Sequence, residues 1–401
     1  MHPVNSTTTV FPLNDVRFFF TGDAYFDAVI EAIEQANEEI LVEVYIYDWD
    51  QIGQRLIQAL AAARERKVDV HLMVDGVGSI SAIERLQASC EKARIDFRVY
   101  HPPLFFSRLM FRPEKAPLSR KMRAFFTRLM TLLFYANKRN HRKTVIVDAR
   151  MAFLGSFNVT DVHSARAVKE RAWRDTGVRL TATLPTLKPL IAAFQRAWIR
   201  SRDLDQPRWR FRRRIRRERR PPLGIFRLND TLRRRMRITR DLRKRLRKAE
   251  RRILITNAYF LPRPSLLRIL RAAARRGVFV GLVLPAKTDV WMVREAGRTM
   301  LRKLIRDGVH VFEYEPVVLH AKTMVIDDWA MVGSHNLNYR SLIHDLEVDV
   351  TFAQPEHVEP LVAQWDLDVR SSQALTLRDL DSDSALRRLV GRLVYLVRYW
   401  M

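Results

Sequence analysis

The 401-residue sequence has a single cysteine, Cys90, which excludes an intramolecular disulfide framework and any multi-cysteine metal site. It has no run approaching the ~18 apolar residues of a membrane span. Its opening, Met1-His2-Pro3-Val4-Asn5-Ser6, lacks the charged-then-apolar layout of a signal peptide. The expectation is a protein that stays on the side of the membrane where it is made and meets lipid only peripherally. Acidic side chains are scarce: 44 Asp plus Glu face 71 Lys plus Arg, a formal net charge of +27. A chain this basic expects an anionic partner, whether nucleic acid, an acidic membrane or another phosphate-bearing surface. Hydrophobic residues at 47% and aromatics at 10% exclude a disordered or collagen-like chain.

Two stretches of the chain read alike. A helical pattern through Tyr25, Phe26, Val29, Ile30 and Ile33 runs into the β-prone Ile40–Tyr47, and Leu242, Leu246 and Ala249 run into Ile253–Phe260. Each is followed by a helix (56–66; 266–276), a buried strand (68–74; 278–284) and a third strand (95–100; 309–314). Strands alternating with helices predict α/β layers, and the duplication predicts two similar halves. Between the halves, nine of the 13 residues from 208 to 220 are Arg, followed by Pro221-Pro222. Such mutual repulsion suits a connector rather than a core element.

Each half holds one H-x-K-x-x-x-x-D string, His141–Asp148 and His320–Asp327, and each string is followed by Gly-Ser-x-Asn: 155–158 and 333–336. On β-prone segments, residues two apart share a face, so His141 points with Lys143 and His320 with Lys322. Asp148 and Asp327 lie seven positions beyond their His, face away, and end their strands before turn-like residues. They read as structural supports. Two imidazoles, two ammoniums and the amides of Asn158 and Asn336 make a site for one phosphate, with Lys and Asn donating to the non-bridging oxygens. One neutral His can attack phosphorus while the other, protonated, supplies the leaving alkoxide with a proton. No metal or other cofactor is called for beside such a cationic cluster.

The duplicated strings resemble the HKD signature of the phospholipase D superfamily, over about residues 10–355. Tyr45-Ile46-Tyr47, Asp75–Ser79, Trp173–Thr176 and Thr256–Phe260 further resemble short bacterial cardiolipin synthases. The resemblance implies an α/β fold of two pseudo-symmetric halves, each a mixed sheet flanked by helices, with both motifs meeting between them. It also implies a covalent phosphohistidine, with the whole of His141, Lys143, Asp148, His320, Lys322 and Asp327 counted as the catalytic set. His141 is then the nucleophile and His320 the acid, an assignment that the pseudo-symmetry leaves reversible. In relatives, carboxylates after the Asn orient the imidazoles, and Asp175 and Glu347 occupy those places. Ser156 stands where the first repeat often has a second Gly. The expected organisation is a first half over 1–205, a linker over 206–222, a second half over 223–370 and an amphipathic tail over 371–401.

The expected activity is phosphatidyl transfer forming cardiolipin from the anionic lipid phosphatidylglycerol, by an enzyme peripheral to the cytoplasmic face of a bacterial membrane. The motifs alone leave open hydrolysis of phospholipids, a nuclease of the same superfamily and a non-catalytic binder; the apolar insertion described next argues against nucleic acid as partner. His141 lies 41 residues beyond Tyr100, whereas His320 lies 6 beyond the equivalent Tyr314, so the first half carries an insertion at about 101–140. Its Met122, Phe125, Phe126, Leu129, Met130, Leu132 and Leu133, interspersed with Arg and Lys, form a basic amphipathic pattern beside the site. Deletion of residues 104–136 is expected to abolish binding to liposomes and preserve folding; retained binding would rule out docking by this segment.

Overall fold

Apolar runs bounded by turn residues become strands, and the 3.6-period stretches between them become helices that cover those strands. The computed structural model describes residues 13–102, 138–201 and 224–396. The first twelve residues, almost all of the insertion, the whole Arg-rich connector and the last five residues lie outside the described residues.

The first half contains β1 (Leu13–Phe19), α1 (Gly22–Glu34), β2 (Glu39–Val44), α2 (Gln51–Glu65), β3 (Asp69–Asp75), α3 (Ile83–Ala93) and β4 (Asp96–Tyr100). After the insertion come β5 (Thr144–Val147), β6 (Met151–Gly155), a short α4 (Ala165–Val168), β7 (Gly177–Ala182) and α5 (Leu184–Arg200). The second half repeats the plan: β8 (Phe226–Leu228), α6 (Leu232–Lys248), β9 (Arg252–Asn257), α7 (Pro264–Arg275), β10 (Phe279–Pro285), α8 (Trp291–Arg306) and β11 (His310–Tyr314). It continues through β12 (Lys322–Ile326), β13 (Trp329–Gly333), α9 (Tyr339–Ile343), β14 (Val348–Phe352) and α10 (Pro355–Arg370). The chain closes with β15 (Ser372–Ala374), α11 (Leu377–Asp381) and α12 (Ala385–Leu396).

The sheet orders make the duplication explicit. The first is β1-β7-β6-β5-β2-β3-β4, and the second is β15-β11-β10-β9-β12-β13-β14-β8. Read from β8, the second sheet reproduces the first strand for strand and adds β15 at its far edge. In each half the three strands of the βαβ units pair in parallel, and the two motif strands join them antiparallel. Helices α1–α3 cover the outer face of the first sheet over a core that includes Ile33, Leu56, Leu60 and Leu72. The inner faces of both sheets share one continuous core with α5 and α10: Leu41, Ile146, Leu190 and Phe194 from one half, Leu254, Val325, Leu361 and Trp365 from the other. Hydrophobic burial thus fuses the halves and fixes their relative placement. Cys90 is part of the first core, and burial pushes its thiol up to about 12, which makes it a packing residue.

The C-terminal segment, expected as an amphipathic tail, is built into the second half. β15 pairs antiparallel with β11, and Arg387 of α12 reaches both oxygens of Glu295 on α8 at 2.7 Å. Val394 and Tyr395 pack against Val293, Ala296 and Met300, while Leu389 and Leu393 stay exposed. No helix among the described residues is long and apolar enough to cross a membrane.

Asp148 and Asp327, counted by resemblance with the catalytic set, belong to the scaffold. Each sits at positive φ (49° and 51°) in the turn after its motif strand, a conformation Asp adopts more readily than most residues. The Asp148 carboxylate accepts the backbone N–H groups of Asn37, Glu38 and Glu39 at 2.7–3.0 Å. Asp327 accepts those of Glu250, Arg251 and Arg252 at 2.9–3.0 Å. Each carboxylate therefore pins the start of β2 or β9 to the end of the motif strand. Asp327→Ala is expected to lower stability by about 1–2 kcal/mol, read as a lower midpoint in urea unfolding with an unchanged m-value; an unchanged midpoint would contradict the supporting role.

Candidate active site

The motif strands β5 and β12 begin only at Thr144 and Lys322, so His141 and His320 stand in the stretches leading into them. Those stretches do not pair within their own half. The His141 N–H donates to Leu346 O at 3.0 Å, and the Leu346 N–H donates to Arg139 O at 2.8 Å. On the other side, the His320 N–H donates to Arg174 O at 2.8 Å, and the Arg174 N–H donates to Val318 O at 2.9 Å. Each motif thus enters beside the residue preceding the opposite half's carboxylate. Arg174 strengthens the crossing by a bidentate, buried pair with Asp368 of α10 at 3.0 and 2.9 Å.

The carboxylates are therefore exchanged between halves. His141 Nδ1 lies 3.1 and 3.0 Å from the two oxygens of Glu347, and His320 Nδ1 lies 2.7 Å from Asp175 Oδ2. All four residues are buried. With Nδ1–H committed to the carboxylate, Nε2 of each ring is the atom left for chemistry. The lysines pack behind: Lys143 Nζ donates to His141 O at 2.7 Å, and Lys322 Nζ donates to His320 O. Their ammoniums lie 5.1 and 5.9 Å from the rings of Tyr45 and Tyr259.

Protonation follows from burial of like charges. Burial, partly offset by Glu347, brings the Lys143 ammonium down to about 7; burial brings Lys322 down to about 8. Burial and then Lys143 push His141 well below its ordinary value, so it is neutral at pH 7. Burial and Lys322 also lower His320, but Asp175 opposes them by charge and hydrogen bond. The carboxylates differ too. Burial would raise Asp175, yet His320, His163 and Lys322 outweigh it and hold the group below the usual carboxylate range. Burial does raise Glu347, against His335 and Lys143.

The Gly-Ser-x-Asn loops complete the frame. Ser156 Oγ donates to Asp175 and Ser334 Oγ to Glu347, so serine at position 156 reproduces the second repeat. A Cβ on Gly155 would meet Thr176 O at 2.4 Å, and one on Gly333 would meet Val348 O at 2.3 Å, which is why glycine ends β6 and β13. Asn158 and Asn336 are buried in the same loops; Asn158 Oδ1 accepts the Ile46 N–H at 3.3 Å.

Several residues of the site carry no motif. Tyr45 and Tyr259, noted only for their likeness to the subgroup, set their rings 4.8 Å from His141 and 6.0 Å from His320. Asn229 fixes the Glu347 strand by accepting its N–H at 2.7 Å. His163 was not singled out from the sequence. It is fully buried, with Nδ1 3.3 Å from Asp175 Oδ2 and Nε2 accepting the Asn158 N–H at 3.3 Å. The five-residue offset from the loop Asn is the signal that could have found it, because Ser341 holds the matching place near Glu347. His163, Asp175 and His320 bring three potential ligand atoms within 4.8 Å. However, the Asn158 N–H occupies the Nε2 lone pair of His163, so its proton sits on Nδ1 facing Asp175, and no lone pair there is left for a cation.

A neutral nucleophilic imidazole, a second imidazole tied to an ionised carboxylate and two ammoniums suit displacement at phosphorus. The family model "Cardiolipin synthase, PLD-like domain" matches residues 29–198 and 242–367. Cardiolipin synthase B of Escherichia coli (strain K12) is 33% identical over 342 residues, covering 84% of this chain and 76% of that protein. Probable cardiolipin synthase YwiE of Bacillus subtilis is 26% identical, covering 90% of this chain and 67% of that protein. The fold also matches the crystal structure of phosphatidylserine synthase from Haemophilus influenzae Rd KW20, with a TM-score of 0.72 at 13% identity, over 98% of this chain and 96% of that one. With both motifs, the exchanged carboxylates and these matches in hand, the chain belongs to the cardiolipin synthase group of the phospholipase D superfamily.

Proposed function

We propose that the protein transfers a phosphatidyl group from phosphatidylglycerol to a second phosphatidylglycerol, forming cardiolipin and releasing glycerol. The observation that carries this reading is the crossed geometry, in which a carboxylate of the opposite half holds Nδ1 of each imidazole and leaves Nε2 for phosphorus. In the first step, Nε2 of His141 attacks phosphorus, the P–O bond to glycerol breaks, and His320 gives its Nε2 proton to the leaving alkoxide. In the second, neutral His320 takes the proton from the acceptor's glycerol hydroxyl, whose oxygen displaces His141 from phosphorus. Lys143, Lys322, Asn158 and Asn336 stabilise the charge on the non-bridging oxygens throughout.

The roles of the two histidines need not be interchangeable, because their carboxylates differ. Asp175, ionised and contacted by both His163 and His320, offsets part of the lowering that burial and Lys322 impose on His320. Glu347 is the weaker counter-charge, which favours a neutral His141. This supports His141 as nucleophile and His320 as acid, then base. Because the donor and acceptor are lipids, the enzyme works in peripheral contact with a membrane on the cytoplasmic side.

Given labelled phosphatidylglycerol vesicles in EDTA, the protein is expected to produce cardiolipin plus glycerol. Phosphatidic acid would indicate hydrolysis instead, and cleavage of single-stranded DNA with no lipid product would indicate a nuclease. On the alkaline side the pH dependence follows from loss of the proton of His320, itself lowered, and from the lysines. Lowered to about 7 and about 8, they lose their charges as pH rises through that interval, so kcat/KM on a soluble phosphodiester is expected to fall there. The lowered His141 stays neutral below its ordinary value, which places the acid limb below pH ~6.5. A profile flat to pH ~10 would contradict the role given to the ammoniums.

A further inference from the structure

Two loops that the repeat makes equivalent, the turn after β3 and the turn after β10, each contact the tyrosine packed on one of the two histidines. In the first, Asp75 Oδ1 accepts the N–H groups of Val77 and Gly78 at 2.9 and 3.1 Å, and its Oδ2 accepts that of Asn140, the residue before His141, at 2.9 Å. A Cβ on Gly78 would fall 2.3 Å from the carbonyl oxygen of Tyr45, the tyrosine packed on His141. In the second, the Tyr259 hydroxyl donates to the Asp289 carboxylate at 2.7 Å, and Tyr259 is the tyrosine packed on His320. Asp289 stands two residues ahead of Trp291, which opens α8. Each loop is therefore held against the tyrosine that packs on its half's histidine, the first also through the Asn140 N–H.

Both loops lead to apolar side chains exposed to solvent. Val77 is 41% and Ile80 47% exposed on the first; Trp291 is 57% and Met292 39% exposed on the second. The side chains are unrelated in sequence, yet each pair stands in or just beyond a loop that contacts the tyrosine packed on one of the two histidines. Isolated exposed apolar residues are ordinary, but here a pair stands beside each of the two halves of one site. Lys287 of the second loop is exposed, as is Lys138, two residues before the Asn140 that Asp75 holds, and the protein as a whole carries +27.

We propose that Val77 and Ile80 at one loop, and Trp291 and Met292 at the other, are a docking rim that inserts into the headgroup region of an anionic phospholipid bilayer. The rim seats the site on the membrane. A headgroup then enters the site while its acyl chains remain in the bilayer, and the cationic surface holds the anionic leaflet. The inference rests on the phosphatidyl-transfer reading for its choice of a bilayer as partner.

The test uses the full chain and vesicles of phosphatidylglycerol with phosphatidylcholine. The combined variant Val77→Asn, Ile80→Asn, Trp291→Ser, Met292→Asn is expected to bind these vesicles at least about tenfold more weakly than the unaltered protein, with an unchanged thermal transition. A second measurement covers a variant that fails to fold. An environment-sensitive dye on Ile80→Cys is expected to shift to the blue on vesicle binding, whereas the same dye on Phe279→Cys, at the far end of β10, is not; the native Cys90 is buried. Undiminished binding by the folded combined variant, or no shift at position 80 when the protein is bound, would overturn the rim. Cardiolipin formation by the unaltered protein is scored separately. Binding lost at the rim with no cardiolipin made by the unaltered protein would sink the transfer reading and leave the rim standing.

Discussion

The structure depends on an exchange: each half supplies the imidazole that the other half's carboxylate orients. His141 with Glu347 and His320 with Asp175 are buried pairs, and neither is complete within one repeat. Burying two lysines and two carboxylates is costly when the groups stand alone, because the desolvation of each ion is offset only by close partners. Here the charges lie within one cluster that spans both sheets, so separating the halves would strand all four. The shared apolar core of the two inner sheet faces supplies the binding between halves, and the ionic cluster fixes how they must meet.

Chemistry follows from that constraint. A pseudo-twofold frame would by itself give two equal histidines, but phosphoryl transfer through an imidazole needs unequal ones. The asymmetry enters through small departures from the repeat. Asp faces one ring and Glu the other, and His163 touches Asp175 where Ser341 has the matching place near Glu347. These changes hold Asp175 below the usual carboxylate range while Glu347 is raised.

Much of this was legible in the sequence because the repeat could be read against itself. The switch from helical to strand periodicity at Ile40 and Ile253 located the equivalent strands, and the two H-x-K strings with trailing Gly-Ser-x-Asn located the site. The expectation that Asp148 and Asp327 face away from their His agrees with their place in the turns. What spacing could not give was partner choice. Nothing in the local pattern says that Glu347 serves His141, since that pairing arises from backbone bridges between halves such as Asn140 with Leu346. His163 escaped notice for a related reason: a single histidine in a short loop has no periodicity, and only the fold sets it against Asp175. The C-terminal helix shows the opposite limit. Its amphipathic pattern is real, but it reports only that one face is covered, and in the described residues that face packs on α8.

The most direct measurement of the central claim is the position of the covalent phosphate. A phosphatidyl ester with an activated leaving group needs no acid for its departure, so the His320→Ala variant should form the intermediate and then stall for want of a base. Acid-labile label recovered on the peptide containing His141, and absent from His141→Ala, is the result the account predicts. Label recovered on His320 in the His141→Ala variant, or no covalent label in either, would contradict it.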